Sequence, residues 1–448
     1  MNPPVTIVGG GLAGSEAALA LAALGRPVRL YEMRPATPTG AHRTGDLAEL
    51  VCSNSLGSHL PGRATAILMR EAAQLGSRLL ELARAHAVPA GGALAVDRLG
   101  FARAVTEAVA AEPRITLIRE EVRELPEPPA ILAAGPLASP ALSRALASAA
   151  GAAHLYFFDA IAPLVSGESI DFSIAFRASR YDRGATEEGD YVNCPFTRDE
   201  YVAFVDALRA AERAPLREFE AELGAGVRAG SGFFERCLPV EVIAARGERA
   251  LAFGPMRPVG LRDPRTGRRP HAALQLRRED IAGAAYNLVG FQTNLTHGEQ
   301  ARVFRMIPGL GRAEFLRYGQ MHRNTFLNAP RVLRATLEWR ERPGLFVAGQ
   351  LAGAEGYLGN IATGAFAAHN LARRMEGREP RALPVTTMLG ALCHYLASAP
   401  PDEFQPMKAN LGLLPPLPEP VPAGKIDRAL AHAARSEAEL SDWMAAIP

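Results

Sequence analysis

Val5-Thr6-Ile7-Val8, followed by Gly9-Gly10-Gly11-Leu12-Ala13-Gly14, is the stretch that decides the fold. The apolar run is rich in β-branched residues and suits a short buried strand. Ser15 to Leu24, mostly alanine and leucine, reads as a helix that Gly25 stops. Val28 to Tyr31 reads as a second strand and ends in Glu32. Strand, G-x-G-x-x-G, helix, strand, acid is the pattern of a dinucleotide-binding unit. Gly9, Gly11 and Gly14 let the backbone turn tightly and approach a pyrophosphate, and the helix N-terminus offers unpaired N–H groups to its charge. Glu32 lies 23 residues after Gly9, near the spacing expected of a carboxylate that bonds a ribose hydroxyl. A carboxylate there disfavours a 2′-phosphate, which leaves FAD or NAD. The bland alternative is a glycine-rich turn that only packs helix on strand.

Segments further along favour FAD. Leu345-Phe346-Val347-Ala348-Gly349 is another apolar strand ending in glycine, and a glycine-rich segment, Gly353 to Gly359, follows it. Ala362-Thr363-Gly364 then opens a helical stretch reaching about Arg374. Two-dinucleotide-fold flavoproteins complete their FAD site in this way, whereas an NAD dehydrogenase has no reason to return to its first domain. Ile131-Leu132-Ala133-Ala134-Gly135-Pro136 is similar to their middle strand, which also ends beside the cofactor. Gly135, Gly349 and Gly364 therefore join the cofactor candidates. Tight packing is the competing use for Gly349 and Gly364.

The expected fold class is α/β: a Rossmann-like FAD-binding domain of the two-dinucleotide-fold flavoprotein type, with an inserted α+β domain. Residues 1–155 form its N-terminal part, 156–325 the inserted substrate- or RNA-facing domain, and 326–448 its C-terminal part and tail. Residues 37–65 read as loop, Arg70 to Ala85 as an amphipathic helix and Glu200 to Glu222 as a charged helix. Leu251 to Phe291 reads mainly as strands and turns. The tail is proline-rich at 415–422 and ends in a short, peripheral helix.

Composition excludes several classes. The 448 residues are 48% hydrophobic and 21% charged, unlike a disordered chain or a disulfide mini-protein. With 49 basic and 47 acidic residues the net charge is +2, so a highly basic nucleic-acid coat is excluded. Lys408 and Lys425 are the only lysines, so a phosphate held by side-chain charge is held mostly by guanidinium groups. Arg257, Arg262, Arg265, Arg268, Arg269, Arg277 and Arg278 cluster, and the turn carrying Arg265, Arg268 and Arg269 is a candidate RNA-phosphate contact. The alternative is a solvated hairpin. Four cysteines, Cys52, Cys194, Cys237 and Cys393, form no C-x-x-C pair, so no metal site is expected. No apolar run is long enough for a membrane span. A cytoplasmic protein is expected, with a monomer preferred.

GGGLAGSEAA at the start, LYEMRP at 30–35, AELVCSNSLGS at 48–58 and VPAGGALAVDR at 88–98 carry a more specific signal. So do YVNCP at 191–195, CLPVE at 237–241, FGPMRPVGL at 253–261, RYGQMHRNTF at 317–326 and EGYLGN at 355–360. Together, over nearly the whole length, they resemble the folate- and FAD-dependent tRNA uracil-C5 methyltransferase family, TrmFO. The resemblance implies methylation of a uridine at C5, most simply U54 in the tRNA T-loop. It implies 5,10-methylenetetrahydrofolate as carbon donor and FAD, reduced by NADH or NADPH, as reductant. A thiolate must add to C6 before C5 can attack a one-carbon electrophile. The matching cysteines are Cys237, assigned as nucleophile, and Cys52, assigned to C5-proton removal, although the two roles are exchangeable on sequence. His322 and Tyr357 match positions that hold the pterin. Gly359-Asn360 departs from the family's acidic-serine pair, and Ala134 from its threonine. The alternatives are the same chemistry on ribosomal RNA, a flavin-dependent NAD(P)H oxidoreductase without RNA methylation, and a non-catalytic RNA-binding factor.

Overall fold

The computed structural model describes residues 3–150, 155–182, 184, 186, 188–214, 227–233 and 238–445. Val5–Val8 is the centre of a five-stranded parallel sheet. Across the sheet run Leu345–Val347, Ala130–Leu132, Val5–Val8, Val28–Tyr31 and Ile115–Ile118. Val5, Ile7, Ile131, Leu132 and all of Leu345–Val347 are fully buried, as strands covered on both faces must be. The carboxyl ends of four of the five strands open onto one cleft. In open parallel sheets that edge is where ligands bind.

Two helices close the floor of this cleft. Leu12–Ala23 leaves the first strand, and Tyr357–Met375 crosses it in close contact. A Cβ on Gly364 would lie 2.3 Å from the Ala13 carbonyl oxygen, so glycine is required where the two backbones meet. The late helix begins at Tyr357, more than a turn before the expected opening at Ala362. Gly364 is therefore buried mid-helix as a packing residue, and not at a helix N-terminus beside the cofactor, as the sequence suggested. Glycine-rich sequence around Gly356 and Gly359 hides the first turn from a propensity reading.

Other expectations are corrected. The 70–85 helix is two helices, Ala64–Gln74 and Arg78–Ala85, parted by Gly76 in the left-handed region (φ 77°) and capped anew by Ser77. The 37–65 loop contains a strand, Ser55–Ser58, paired with Ala93–Val96. The terminal helix is neither short nor peripheral. It spans Lys425–Ala445 and buries Trp443 against Phe366. Its Ser436 hydroxyl donates to Glu71, whose carboxylate also accepts the Met388 and Leu389 N–H groups at the start of Met388–Ser398. Burial pushes Glu71 up to about 7 despite those three donors.

The insertion has its own core around a six-stranded antiparallel sheet. Its strands, in spatial order, are Phe176–Ala178, Tyr191–Phe196, Ala272–Arg278, Ala285–Leu288, Leu164–Ser166 and Phe315–Arg317. Arg198–Ala210 packs on it behind a capping box of Thr197 and Glu200. That helix ends at Ala210 rather than at Glu222, and 215–226 lies outside the described residues. A short helix, Ala250–Phe253, interrupts the stretch read as strands. The chain enters the insertion along Leu155–Ile161 and returns along Gln320–Phe326, and the two strands pair antiparallel.

Candidate functional site

The cleft is lined first by main chain. Gly9 sits at φ 104°, and a Cβ there would lie 2.5 Å from the Ala133 oxygen. A Cβ on Gly14 would strike the Gly9 carbonyl at 1.8 Å, so Gly14 serves helix-on-strand packing. A Cβ on Gly11 would meet nothing within 4 Å. Side chain is missing there, and cleft space stands in its place. Gly11 caps the first helix with no side-chain hydrogen bond, as Gly356 does for the late helix. Two helix N-termini with uncapped N–H groups thus border the cleft, an arrangement suited to anionic or electron-rich groups. Gly135 (φ 67°) and Gly349 (φ 75°) line the same space.

Glu32 lies at the end of its strand, 6% exposed. It accepts the Gly10 N–H at 2.9 Å, and the Arg34 N–H and Nε at 2.9 Å each. Burial works against its charge, but the Arg34 hydrogen bonds and charge outweigh burial and hold the carboxyl below its ordinary range. Three hydrogen bonds leave an ionised carboxylate room for one more donor.

A second chamber continues from the cleft through a shared wall that includes Val51, Gln350, Tyr357 and Asn360. Cys52 lines it, with Gln292, Glu355 and Lys408. Each residue of the Cys52 loop is fastened. Arg98 donates to the Leu50 carbonyl, and Arg317 donates to the Val51 carbonyl at 3.3 Å. The Tyr357 hydroxyl accepts the Cys52 N–H at 2.8 Å and the Ser53 N–H at 3.1 Å. Asn54 donates to Val96 and to Arg278 of the insertion, at 2.9 and 2.8 Å. Burial, with the nearby Cys52 sulfur second, pushes the Tyr357 phenol above its ordinary value, so it stays neutral. Cys194 and Cys393 are also pushed up, by burial in apolar surroundings, and stay thiols.

The structure thus brings together Gly9, Gly11, Glu32, Gly135, Gly349, Tyr357 and Cys52 along one continuous space, with Gly14 and Gly364 just behind it. His322 is on the returning strand, its backbone opposite Asp159, and its side chain is outside those described. Cys237 lies outside the described residues. The arginine turn is elsewhere. Arg265 is held by Asp263 through two side-chain bonds, which spends much of its charge locally. Arg268 and Arg269 line a surface hollow with Tyr181 and Arg262. Arg277 is buried, contrary to a solvated cluster. Sequence reasoning passed over Arg98, Arg317 and Glu279. The V-D-R of 96–98 and the R-Y-G of 317–319 lie in segments that carry the family resemblance, but nothing in their spacing links them to Cys52. Among the described residues no group of His, Cys, Asp or Glu is arranged to hold a metal, and no helix is long and apolar enough to cross a membrane.

Comparison with known proteins identifies the lineage. The family model described as "Glucose inhibited division protein A" matches residues 4–379. A methylenetetrahydrofolate–tRNA-(uracil-5-)-methyltransferase TrmFO from Heliobacterium modesticaldum is 53% identical over 442 residues, covering 98% of each chain. The protein of that name from Thermosynechococcus vestitus is 54% identical over 445 residues, covering 99% of this chain and 95% of its own. GidA of Aquifex aeolicus superposes with a TM-score of 0.68 at 16% identity, covering 98% of this chain and 73% of that one, and so supports the fold. This chain therefore belongs to the glucose-inhibited division protein A family and, within it, to the methylenetetrahydrofolate–tRNA-(uracil-5-)-methyltransferases, TrmFO.

Proposed function

We propose that this enzyme methylates C5 of U54 in the T-loop of tRNA, with 5,10-methylenetetrahydrofolate as carbon donor and FAD reduced by NADH or NADPH. The observation that carries the reading is the shared wall. A dinucleotide cleft opens directly into a chamber presenting a thiol, with Tyr357 touching both. The residues fit FAD. The space beside Gly11 would be filled by any side chain, two uncapped helix N-termini border the cleft, and Glu32 keeps one acceptor position for a ribose hydroxyl. Bound FAD supplies, once reduced, the hydride that turns a methylene into a methyl.

The chain's own residues do the rest. C5 of uracil is a poor nucleophile until a thiolate adds to C6 and leaves the electron pair on the C4–C5 enolate. Cys237 is the thiol we assign to that attack. In support, Val240, three residues on, donates its N–H to the Gln292 carbonyl at 2.7 Å, and Gln292 lines the Cys52 chamber. After C5 has bonded the one-carbon unit its proton must leave, and Cys52 accepts it as a thiolate; release of the Cys237 thiolate from C6 then restores the C5–C6 double bond. The Tyr357 hydroxyl is committed to the Cys52 loop, which leaves its ring to meet a flat pterin, with His322 as second partner. Arg268 and Arg269 are assigned to RNA phosphates, Arg265 to holding their turn.

The test supplies purified enzyme with unmodified tRNA, methylenetetrahydrofolate labelled in its methylene carbon, and NADPH or NADH. Nuclease digestion and mass spectrometry should find label on C5 of U54. Label in ribosomal RNA alone, or flavin reduction with no label in RNA, overturns the assignment.

A further inference from the structure

We infer that Arg98 and Arg317 are positioning residues that keep Cys52 ionised, and that Glu279 of the inserted domain holds Arg98 in place to do so. The inference deepens the reading of Cys52 as proton acceptor and rests on it. An ordinary thiol is mostly protonated at neutral pH, and a base must be deprotonated to work. Cys52 has no helix N-terminus of its own. Its neighbours supply positive charge instead.

Arg98 stands at the first position of helix Arg98–Ala111 and is 8% exposed. Its Nε donates to Glu279 Oε2 at 2.7 Å, and its main-chain N–H donates to the Glu279 carbonyl at 3.2 Å. Its remaining arm reaches the Leu50 carbonyl, two residues before Cys52. Arg317 comes from the inserted strand Phe315–Arg317 and grips Val51, one residue before Cys52, while its other amino group donates to Ala162 at 3.4 Å. Two guanidiniums thus approach one loop from two domains. Both guanidiniums hold backbone within two residues of Cys52, and positive charge so placed favours a thiolate over a thiol.

Charge counting supports the direction. Burial works against Arg98, but Glu279, together with Tyr357 and Cys52, outweighs it and holds the guanidinium above its ordinary value. Burial, then the like charge of Arg98, pulls Arg317 down to about 10, which still leaves it charged at neutral pH. Two buried like charges side by side are costly unless something nearby is negative. Glu279 supplies one negative charge, and the Cys52 thiolate supplies the second. The Nε of Arg317 and Oε1 of Glu279 are buried without a hydrogen-bond partner among the described residues, so the cluster is not satisfied by its own members. Among the described residues, the other charged or titratable groups facing the site are Arg43 beside Arg317, Tyr357 on the late helix, and Lys408 and Glu355 across the chamber. Lys408 and Glu355 carry opposite charges and the Tyr357 phenol is neutral, so the buried arginines are the positive charge hydrogen-bonded to the Cys52 loop.

The arrangement has a consequence for the two domains. Glu279 follows the inserted strand Ala272–Arg278, whereas Arg98 and Cys52 belong to the FAD-binding domain. The reactivity of Cys52 is therefore tied to the docking of the insertion, which also carries Cys237.

The experiment is alkylation of Cys52 by iodoacetamide in the FAD-loaded enzyme, followed on its own peptide by mass spectrometry from about pH 5 to about pH 10. Arg98→Gln should raise the midpoint by about one unit, slow alkylation near neutral pH roughly tenfold, and converge with wild type at high pH. Arg98→Lys should recover part of the shift. A merely structural arginine would change the rate equally at every pH and leave the midpoint in place. The pair Arg98→Gln/Glu279→Gln removes the risk of a stranded buried carboxylate and should show the same upward shift, and Arg317→Gln a smaller one. An unmoved midpoint in the Arg98→Gln and paired variants overturns the inference. A wild-type profile as expected, with no label entering tRNA, overturns the functional reading and supports the arginine field.

Discussion

The dinucleotide end of the cleft and the Cys52 chamber share a wall yet are built from different material. The first is main chain: glycines with positive φ, two uncapped helix ends, and one carboxylate fixed by a backbone N–H. The second is side chain: Arg98, Arg317 and Tyr357 reach one loop from three separate elements, and Asn54 ties that loop to Val96 and Arg278. The difference teaches where substitution should hurt and how. A backbone site fails by collision, because a Cβ occupies space that the ligand or a neighbouring carbonyl needs. A side-chain site fails by lost charge or an orphaned N–H, and its ligand-binding neighbour survives.

The largest effects should fall on the thiols. Cys237→Ala should lower methylation by at least about a thousandfold, and Cys52→Ala by roughly a hundredfold, while both proteins remain yellow. Wild-type turnover in Cys237→Ala would move the nucleophile elsewhere, and loss of flavin in Cys52→Ala would break the separation of the two ends. Next is Gly9→Val, whose branched side chain has no room beside Ala133. FAD affinity, measured by fluorescence titration, should drop about a hundredfold, a loss of roughly 3 kcal/mol. A Gly9→Val protein that bound flavin normally would show that the backbone end is more pliable than described. Tyr357→Phe sharpens the comparison at the wall itself. It keeps the ring and strands the Cys52 and Ser53 N–H groups, which costs about 1–3 kcal/mol in loop order. Methylation should fall roughly tenfold with FAD retained, and equal losses of both would mean that the ring matters more than the hydroxyl. The smallest effect belongs to Arg268→Ala and Arg269→Ala. Each should weaken tRNA binding only a few-fold and reduce the salt slope by about one. Binding independent of both arginines would place the RNA on another face.

The backbone end was legible because its signal is local. A tight turn, a helix start and an acid at fixed spacing sit within Val5 to Glu32, and each residue type has one dominant physical reason to be there. The same local reading misled at Gly364, where a glycine near a strand end looked like a cofactor contact but is needed for helix packing. It also misjudged the tail. Charged residues on Lys425–Ala445 face solvent, and their number masks the buried stripe of Ala429, Ala433, Leu440 and Trp443. The 70–85 segment kept its apolar period across Gly76, so a break was not visible from periodicity.

The sequence by itself determined the dinucleotide-binding unit, the return of the chain to that unit near residue 345, and the family, because contiguous segments carry each of them. Tertiary structure alone decided what surrounds Cys52. Leu50, Arg98, Glu279, Arg317 and Tyr357 are far apart in the chain, and no propensity or spacing rule connects them. Their meeting depends on the insertion docking onto the FAD-binding domain. A long-range electrostatic cluster has no period, so only the folded chain reveals it.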